Sequence, residues 1–130
     1  MITHRIYPSL GIVVSTWRGQ VSDADLVLEY RRLYEDDEWK PGAHELVDVR
    51  EADLVNVSSR GLKTLAGVMG EYLVGFEGEF KTAVLTSGDL TFGLGRVYEA
   101  YSAESPETVQ VFRDPREALA WLAAPADLLD

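Results

Sequence analysis

Short runs of β-branched residues alternate with amphipathic helical stripes along this chain, and that alternation limits its fold more than any other feature. Residues 2–7 read as a strand stopped by Pro8-Ser9, and Gly11 opens a second apolar run over residues 12–17. So short a link predicts an antiparallel hairpin. Further strands are expected over residues 44–49, 81–86 and 108–112. Between them lie stripes at helical spacing. Leu26, Tyr30, Leu33 and Tyr34 form the first, behind Ser22 as N-cap and Asp25 at the capping-box position. Glu35-Asp36-Asp37-Glu38 then sits at the end the helix dipole disfavours for acids, which assigns it to an exit loop.

Leu62, Leu65, Ala66, Met69, Leu73 and Phe76 make the second stripe, closed by Gly75 and Gly78. Leu90, Leu94, Val97, Tyr98 and Tyr101 make the third. Asp114-Pro115-Arg116-Glu117 opens the fourth helix with an N-cap, a proline at the first helical position and an acid at the capping-box position. Ala118, Leu119 and Leu122 form its inner face. The order is ββαβαβαβα. Strands that alternate with helices imply parallel pairing through right-handed crossovers. The expectation is a single α/β domain over residues 1–130: a five-stranded mixed sheet, first strand antiparallel and the rest parallel, with about four helices. The tail after about residue 124 is expected to fray.

Charge and cysteine content exclude several functions. With 22 acidic and 12 basic residues the net charge is −10, a field that repels phosphate backbones and anionic membranes. No nucleic-acid partner is expected. No apolar run has the length of a membrane span, so no membrane insertion is expected either. Cysteine is absent, which removes disulfides, thiolate nucleophiles and zinc knuckles. The first residues lack the apolar core of a signal peptide, and the cytoplasm is the expected compartment.

The candidate chemistry is sparse. His4 and His44 stand apart and read as structural or surface residues rather than metal ligands. Ser58-Ser59-Arg60-Gly61 reads as a helix start, with Ser58 or Ser59 as a cap or as a regulatory hydroxyl at the positive dipole end. No nucleophile elbow accompanies it. Asp48, a carboxylate in an apolar strand, is read as capping the following loop. Ser87-Gly88-Asp89 and Gly93-Leu94-Gly95 only loosely resemble a phosphate cradle, and the paired glycines are read as close packing. Without paired acid and base groups, no enzyme, metal or cofactor is expected.

Leu46-Val47-Asp48-Val49-Arg50, Leu90 through Ala100, and Val109-Gln110-Val111-Phe112-Arg113-Asp114 with its closing helix carry a resemblance across residues 2–123. In these segments and its element order the chain resembles the SpoIIAA-like superfamily of STAS (sulfate transporter and anti-sigma factor antagonist) domains. It is most similar to a bacterial branch grouped with CRAL-TRIO-type lipid-exchange domains. Antagonists of that superfamily carry an Asp-Ser-Ser-Gly signature at the second helix, where a kinase phosphorylates a serine. The matching stretch here, Asn56-Val57-Ser58-Ser59-Arg60-Gly61, lacks the aspartate and inserts Arg60.

The resemblance implies a non-enzymatic regulatory module that binds a partner protein through the loop at residues 50–57 and the start of the second helix. Asp48, Asn56, Ser58, Ser59, Arg60, Ser87 and Asp89 would form that surface. A homodimer is compatible with it. The alternative is a carrier or sensor of a small apolar or lipid-like ligand. Met69, Phe76, Phe80, Phe92, Tyr98 and Tyr101 would then either line its pocket or simply belong to the core.

Overall fold

A computed structural model describes residues 1–130 and every side chain except that of Leu90. The elements are β1 (Ile2–Tyr7), β2 (Ile12–Gln20), α1 (Asp23–Tyr34), β3 (His44–Asp53), α2 (Ser59–Tyr72), β4 (Phe80–Leu85), α3 (Asp89–Tyr101), β5 (Glu107–Phe112) and α4 (Pro115–Trp121). The strands form one sheet in chain order, β1-β2-β3-β4-β5. β1 and β2 are antiparallel, and the other three pairings are parallel. This is the expected topology. The inward position expected for Leu90 lies outside the described side chains.

Strand order and crossover hand together fix the layers. When each parallel strand lies beside its predecessor on the same side, right-handed crossovers carry every connecting helix to one face. Leu26, Tyr30 and Leu33 of α1, Leu62, Leu65 and Met69 of α2, and Tyr98 of α3 accordingly share one core with Val13, Val47, Val84 and Val109. Ile12, Val14, Leu46, Ala83, Leu85 and Phe112 point to the opposite face, where α4 lays Ala118, Leu119 and Leu122 on them. Gly95 lets α3 approach the sheet: a Cβ there would lie 2.9 Å from Cγ2 of Val111. The paired-glycine segment thus packs closely at Gly95, whereas Gly93 faces open space.

The caps follow the sequence. Ser22 and Asp25 close a reciprocal capping box on α1. Ser58 Oγ accepts from the Gly61 N–H at 3.0 Å, and Asp114 Oδ1 from the Arg116 N–H at 2.8 Å.

Three expectations need correction. β2 and β3 run past residues 17 and 49, pairing Arg18 with Glu51, Gly19 with Ala52 and Gln20 with Asp53 beyond an irregularity at Thr16/Arg18. This extension is polar and held by backbone pairing, with an Arg18–Glu51 ion pair at 3.0 Å, so no apolar run announces it. Half of the loop expected at residues 50–57 is therefore strand. The tail also departs from expectation, since Leu128 and Leu129 pack against the α4-side core. A seven-residue α4 is short for a five-stranded face, and the tail covers part of what it leaves open.

Candidate functional site

The surface residues singled out in the sequence fall into three separate groups. At the C-terminal ends of the strands, Asp48 clamps Arg50: Oδ1 accepts from the Arg50 backbone N–H and Nε at 3.1 and 3.0 Å, and Oδ2 from Nη2 at 2.9 Å. Ser87 Oγ donates to the Arg50 carbonyl at 3.1 Å. These residues, with Arg18, Glu51 and Leu129, border an open polar groove of about 500 Å³. Asp48 therefore braces the register irregularity within β3, and not a following loop as expected, because the strand runs on to Asp53. Sequential strand order leaves no point where adjacent crossovers diverge to opposite faces, so no crevice of the switch-point kind opens here.

The start of α2 forms the second group. Asp23, from the first turn of α1, accepts from the Ser58 N–H at 2.8 Å and from the Ser58 hydroxyl at 2.6 Å. A Cβ on Gly61 would overlap the Asp23 carboxylate, so glycine is required by this contact. The Ser58 oxygen is thus donor to Asp23 and acceptor from Gly61 at once, and a phosphate added to it would face a carboxylate. Asn56, Ser59 and Arg60 are exposed, and their side chains make no hydrogen bond among the described residues. Asp89 belongs to the third group: it pairs with Arg113 at 2.9 Å, and the Arg113 guanidinium lies 4.7 Å from the Phe92 ring centre.

The molecule's unusual chemistry lies instead in the core under the three helices. One polar side chain from each strand points to that face: His4, Ser15, Glu45, Thr82 and Glu107. They lie in a diagonal stripe across the sheet. His4 Nδ1 lies 2.6 Å from Ser15 Oγ, which donates to Glu45 Oε2 at 2.5 Å. With the Ser15 proton given to Glu45, Nδ1 of His4 is the donor to Ser15. Farther along, Thr82 Oγ1 donates to Glu107 Oε2 at 2.5 Å.

The helices add hydroxyls from above. Tyr30 of α1 donates to Glu45 at 2.8 Å. Tyr98 and Ser102, at the end of α3, donate to Glu107 at 3.0 and 3.1 Å. Glu45 is 6% exposed and Glu107 5%. Between the two halves of the stripe the core holds a cavity of about 50 Å³, walled by Val47, Val84, Leu65 and Met69 and bordered by Glu45, Thr82 and Glu107.

Burial sets the protonation states. Loss of solvent pushes the Glu45 carboxyl up to about 7, with nearby Glu107 adding to the rise and the Ser15 and Tyr30 hydrogen bonds opposing it. Burial raises Glu107 too, against three stabilising hydroxyls. His4 is driven down to about 4 by burial. It is therefore neutral at pH 7, and its Nε2 is buried without a hydrogen-bond partner among the described residues. His44 accepts from the Lys81 N–H at 2.9 Å and ties β3 to β4.

Serine, histidine and acid thus meet here in the order His4–Ser15–Glu45. In a nucleophilic triad the histidine stands between serine and acid and takes the serine's proton. Here the acid holds the serine directly, and Ser15 is wholly buried. The cluster is a proton-sharing network and presents no nucleophile. No group of three or more His, Asp or Glu among the described residues is placed to hold a metal.

Of the aromatic and Met positions named from sequence, Met69 and Tyr98 border the cavity. Phe76 and Phe80 pack on each other at 6.2 Å beyond it, Phe92 lies under Arg113, and Tyr101 is exposed. Glu45 and Glu107 escaped the sequence reading. Their signal was a glutamate in step, at period two, with Val47 and Val49 in β3 and with Val109 and Val111 in β5.

Neither a family model nor a curated protein matches the chain. Among solved structures it is similar to an uncharacterized protein of the DUF3478 family with a SpoIIAA-like fold, from Shewanella loihica PV-4. The two share 20% identity with a TM-score of 0.56, over 94% of this chain and 92% of that one. The fold is SpoIIAA-like, as the sequence resemblance implies. No helix among the described residues is long and apolar enough to cross a membrane.

Proposed function

We propose that this SpoIIAA-like domain is a non-enzymatic binding module, a carrier or sensor whose small, mainly apolar ligand occupies the core cavity. The observation that carries this reading is the cavity itself, an apolar space of about 50 Å³ with two buried carboxyls in its wall. Burying an acid costs free energy even when it is hydrogen-bonded. A domain of this size has only about 5–15 kcal/mol of stability from which to meet such costs. Strongly shifted groups beside an apolar cavity are the mark by which a binding site is sought.

Native mass spectrometry of the protein purified from cells tests the reading, together with methyl NMR of the delipidated chain. Retained small molecules whose removal shifts the Val84, Leu65 and Met69 methyl signals are the expected result. Unchanged methyl signals after removal would count against it.

A second reading rests on the groove at the strand ends. Its mixed charge, from Arg18, Arg50, Asp48 and Glu51, suits a partner protein in the regulatory manner of STAS domains. It ranks second because Ser58, Asp89 and the groove are separate places, and a shared fold does not transfer a function.

A further inference from the structure

The polar stripe is broken once, between Glu45 and Thr82. These residues are register partners on adjacent strands, and both border the cavity, as does Glu107. Glu45 Oε2 takes both the Ser15 and the Tyr30 protons. Its other oxygen, Oε1, accepts no hydrogen bond among the described residues. Thr82 gives its proton to Glu107 and so meets the cavity as an acceptor.

Every hydroxyl or N–H in the cavity wall is already engaged in the same way. Trp17 donates to Tyr30, Tyr30 to Glu45, Tyr34 to the Met69 sulfur, Thr91 to the Gly88 carbonyl and Tyr98 to Glu107. No lysine, arginine or histidine borders the space. With Glu45 ionised, the cavity offers acceptors and no free donor.

We propose that the cavity receives a small primary amine, its ammonium group seated in the gap between Glu45, Thr82 and Glu107 and its alkyl body against Val47, Val84 and Leu65. This deepens the cavity reading and rests on it. An ammonium carries three donors and no acceptor, the complement of this wall. A positive charge between the two carboxyls also relieves the repulsion and desolvation that push both toward the protonated form. Once Glu45 is ionised, a carboxylate or phosphate head would meet acids on one side and no donor on the other, so anionic amphiphiles are rejected at this depth above about pH 7. One water needs roughly 10–15 Å³ of such space, so the cavity fits a chain of about three or four non-hydrogen atoms. Ethylamine and propylamine have that size.

Binding then depends on pH through few groups. Facing Glu45 are Tyr30 and Tyr34 from α1, Tyr98 from α3, Glu107 from β5, and His4 by way of Ser15; α2 faces the cavity with Leu62, Leu65 and Met69. The three tyrosines are held well above their ordinary value, and His4 is neutral above about 4. Glu45, at about 7, is the group that must lose its proton for the ammonium to pair. Affinity should therefore rise about tenfold from pH 6 to pH 8.

The experiment is methyl NMR of the full chain at pH 8, titrated separately with propylamine hydrochloride, sodium propionate and dissolved xenon. The inference expects saturable shifts of the Val84 and Leu65 methyls with propylamine and xenon and none with propionate. Glu45→Gln should weaken propylamine at least tenfold and leave xenon binding intact, with circular dichroism as the folding control. Thr82→Val, which removes an acceptor but no charge, should weaken propylamine by a smaller factor and serves if Glu45→Gln does not fold. If xenon enters but propylamine does not, or propionate binds as well as propylamine, or neither variant changes amine affinity, the amine assignment is wrong and the cavity reading stands. If neither xenon nor propylamine moves these methyls, both fall.

Discussion

On the α4 face of the sheet, Ile12, Val14, Leu46, Ala83, Leu85 and Phe112 meet Ala118, Leu119 and Leu122 without a buried acid. On the three-helix face each strand adds a polar side chain to an apolar wall, and two of these are glutamates. The same five strands, alternating residue by residue, thus build a dry face and a proton-sharing one. The difference lies in what each face must satisfy. One short helix and a folded-back tail can cover apolar side chains at any lateral position. A buried carboxyl needs donors at defined distances, and α1 and α3 bring them as Tyr30, Tyr98 and Ser102. The polar face is therefore the more exactly specified of the two, and the cavity lies where its donors run out.

The largest effect should come from the dry face. Leu85 is fully buried there, and Leu85→Ala should cost about 2–5 kcal/mol through lost burial and the hole left behind. Chemical denaturation at several pH values measures it. The loss should be the same from pH 5 to pH 8, since His44, whose pKa burial lowers, lies beside Lys81 at the far end of β4 from Leu85. A loss that varied strongly with pH would mean the two faces are coupled through the sheet.

The polar face should respond to pH in two opposed ways. His4 is lowered from 6.5 to about 4, so between these values the unfolded chain holds more protons and stability rises with pH. Glu45 is raised from 4.5 to about 7, so over that interval the folded chain holds more protons and stability falls as pH rises. Glu107, also raised, adds to the fall. The two trends largely cancel in the wild type where the windows overlap. Glu45→Gln should leave the rise from His4 opposed by Glu107 alone. Relative to wild type, the variant should gain on the order of 3 kcal/mol between pH 4.5 and pH 7. Stability curves for the two proteins that stay parallel across this range would show that Glu45 titrates as an ordinary surface acid, and the contrast between the faces would be lost.

Much of the frame was legible because it is local. The hairpin, the alternation of periods two and 3.6, and the caps at Ser22, Ser58 and Asp114 each depend on residues within a few positions of one another. The polar ribbon of Arg18, Gly19 and Gln20 against Glu51, Ala52 and Asp53 was not legible, because backbone pairing carries no side-chain pattern. Nor was the capture of Ser58 by Asp23, a contact spanning 35 positions. The stripe was hidden differently. Glu45 and Glu107 stand at the first turns of their strands and read as boundary residues. Only the register of five strands puts them in one row with His4, Ser15 and Thr82. Asp48, the acid that did draw notice, sits on the other parity and holds Arg50.

The smallest effect returns to the dry face and its short helix. α4 has seven residues, too few to be stable by itself, so its hold on the sheet depends on its cap, three apolar side chains and the Lys81 ammonium, which donates to the Trp121 carbonyl at 3.0 Å. Asp114 accepts from the Arg116 N–H at 2.8 Å, and Pro115 at the first helical position has no N–H to satisfy. Glu117 does not close a reciprocal box, so Asp114 supplies the side-chain cap alone. Asp114→Ala should then cost about 1 kcal/mol. Asp114→Asn, which keeps an acceptor oxygen, should cost only a few tenths of that figure. If the two variants lose equally, the contribution is the negative charge at the helix dipole rather than the hydrogen bond. If neither shifts the denaturant midpoint, the packing of Ala118, Leu119 and Leu122 and the Lys81 hydrogen bond to the Trp121 carbonyl hold α4 without help from the cap.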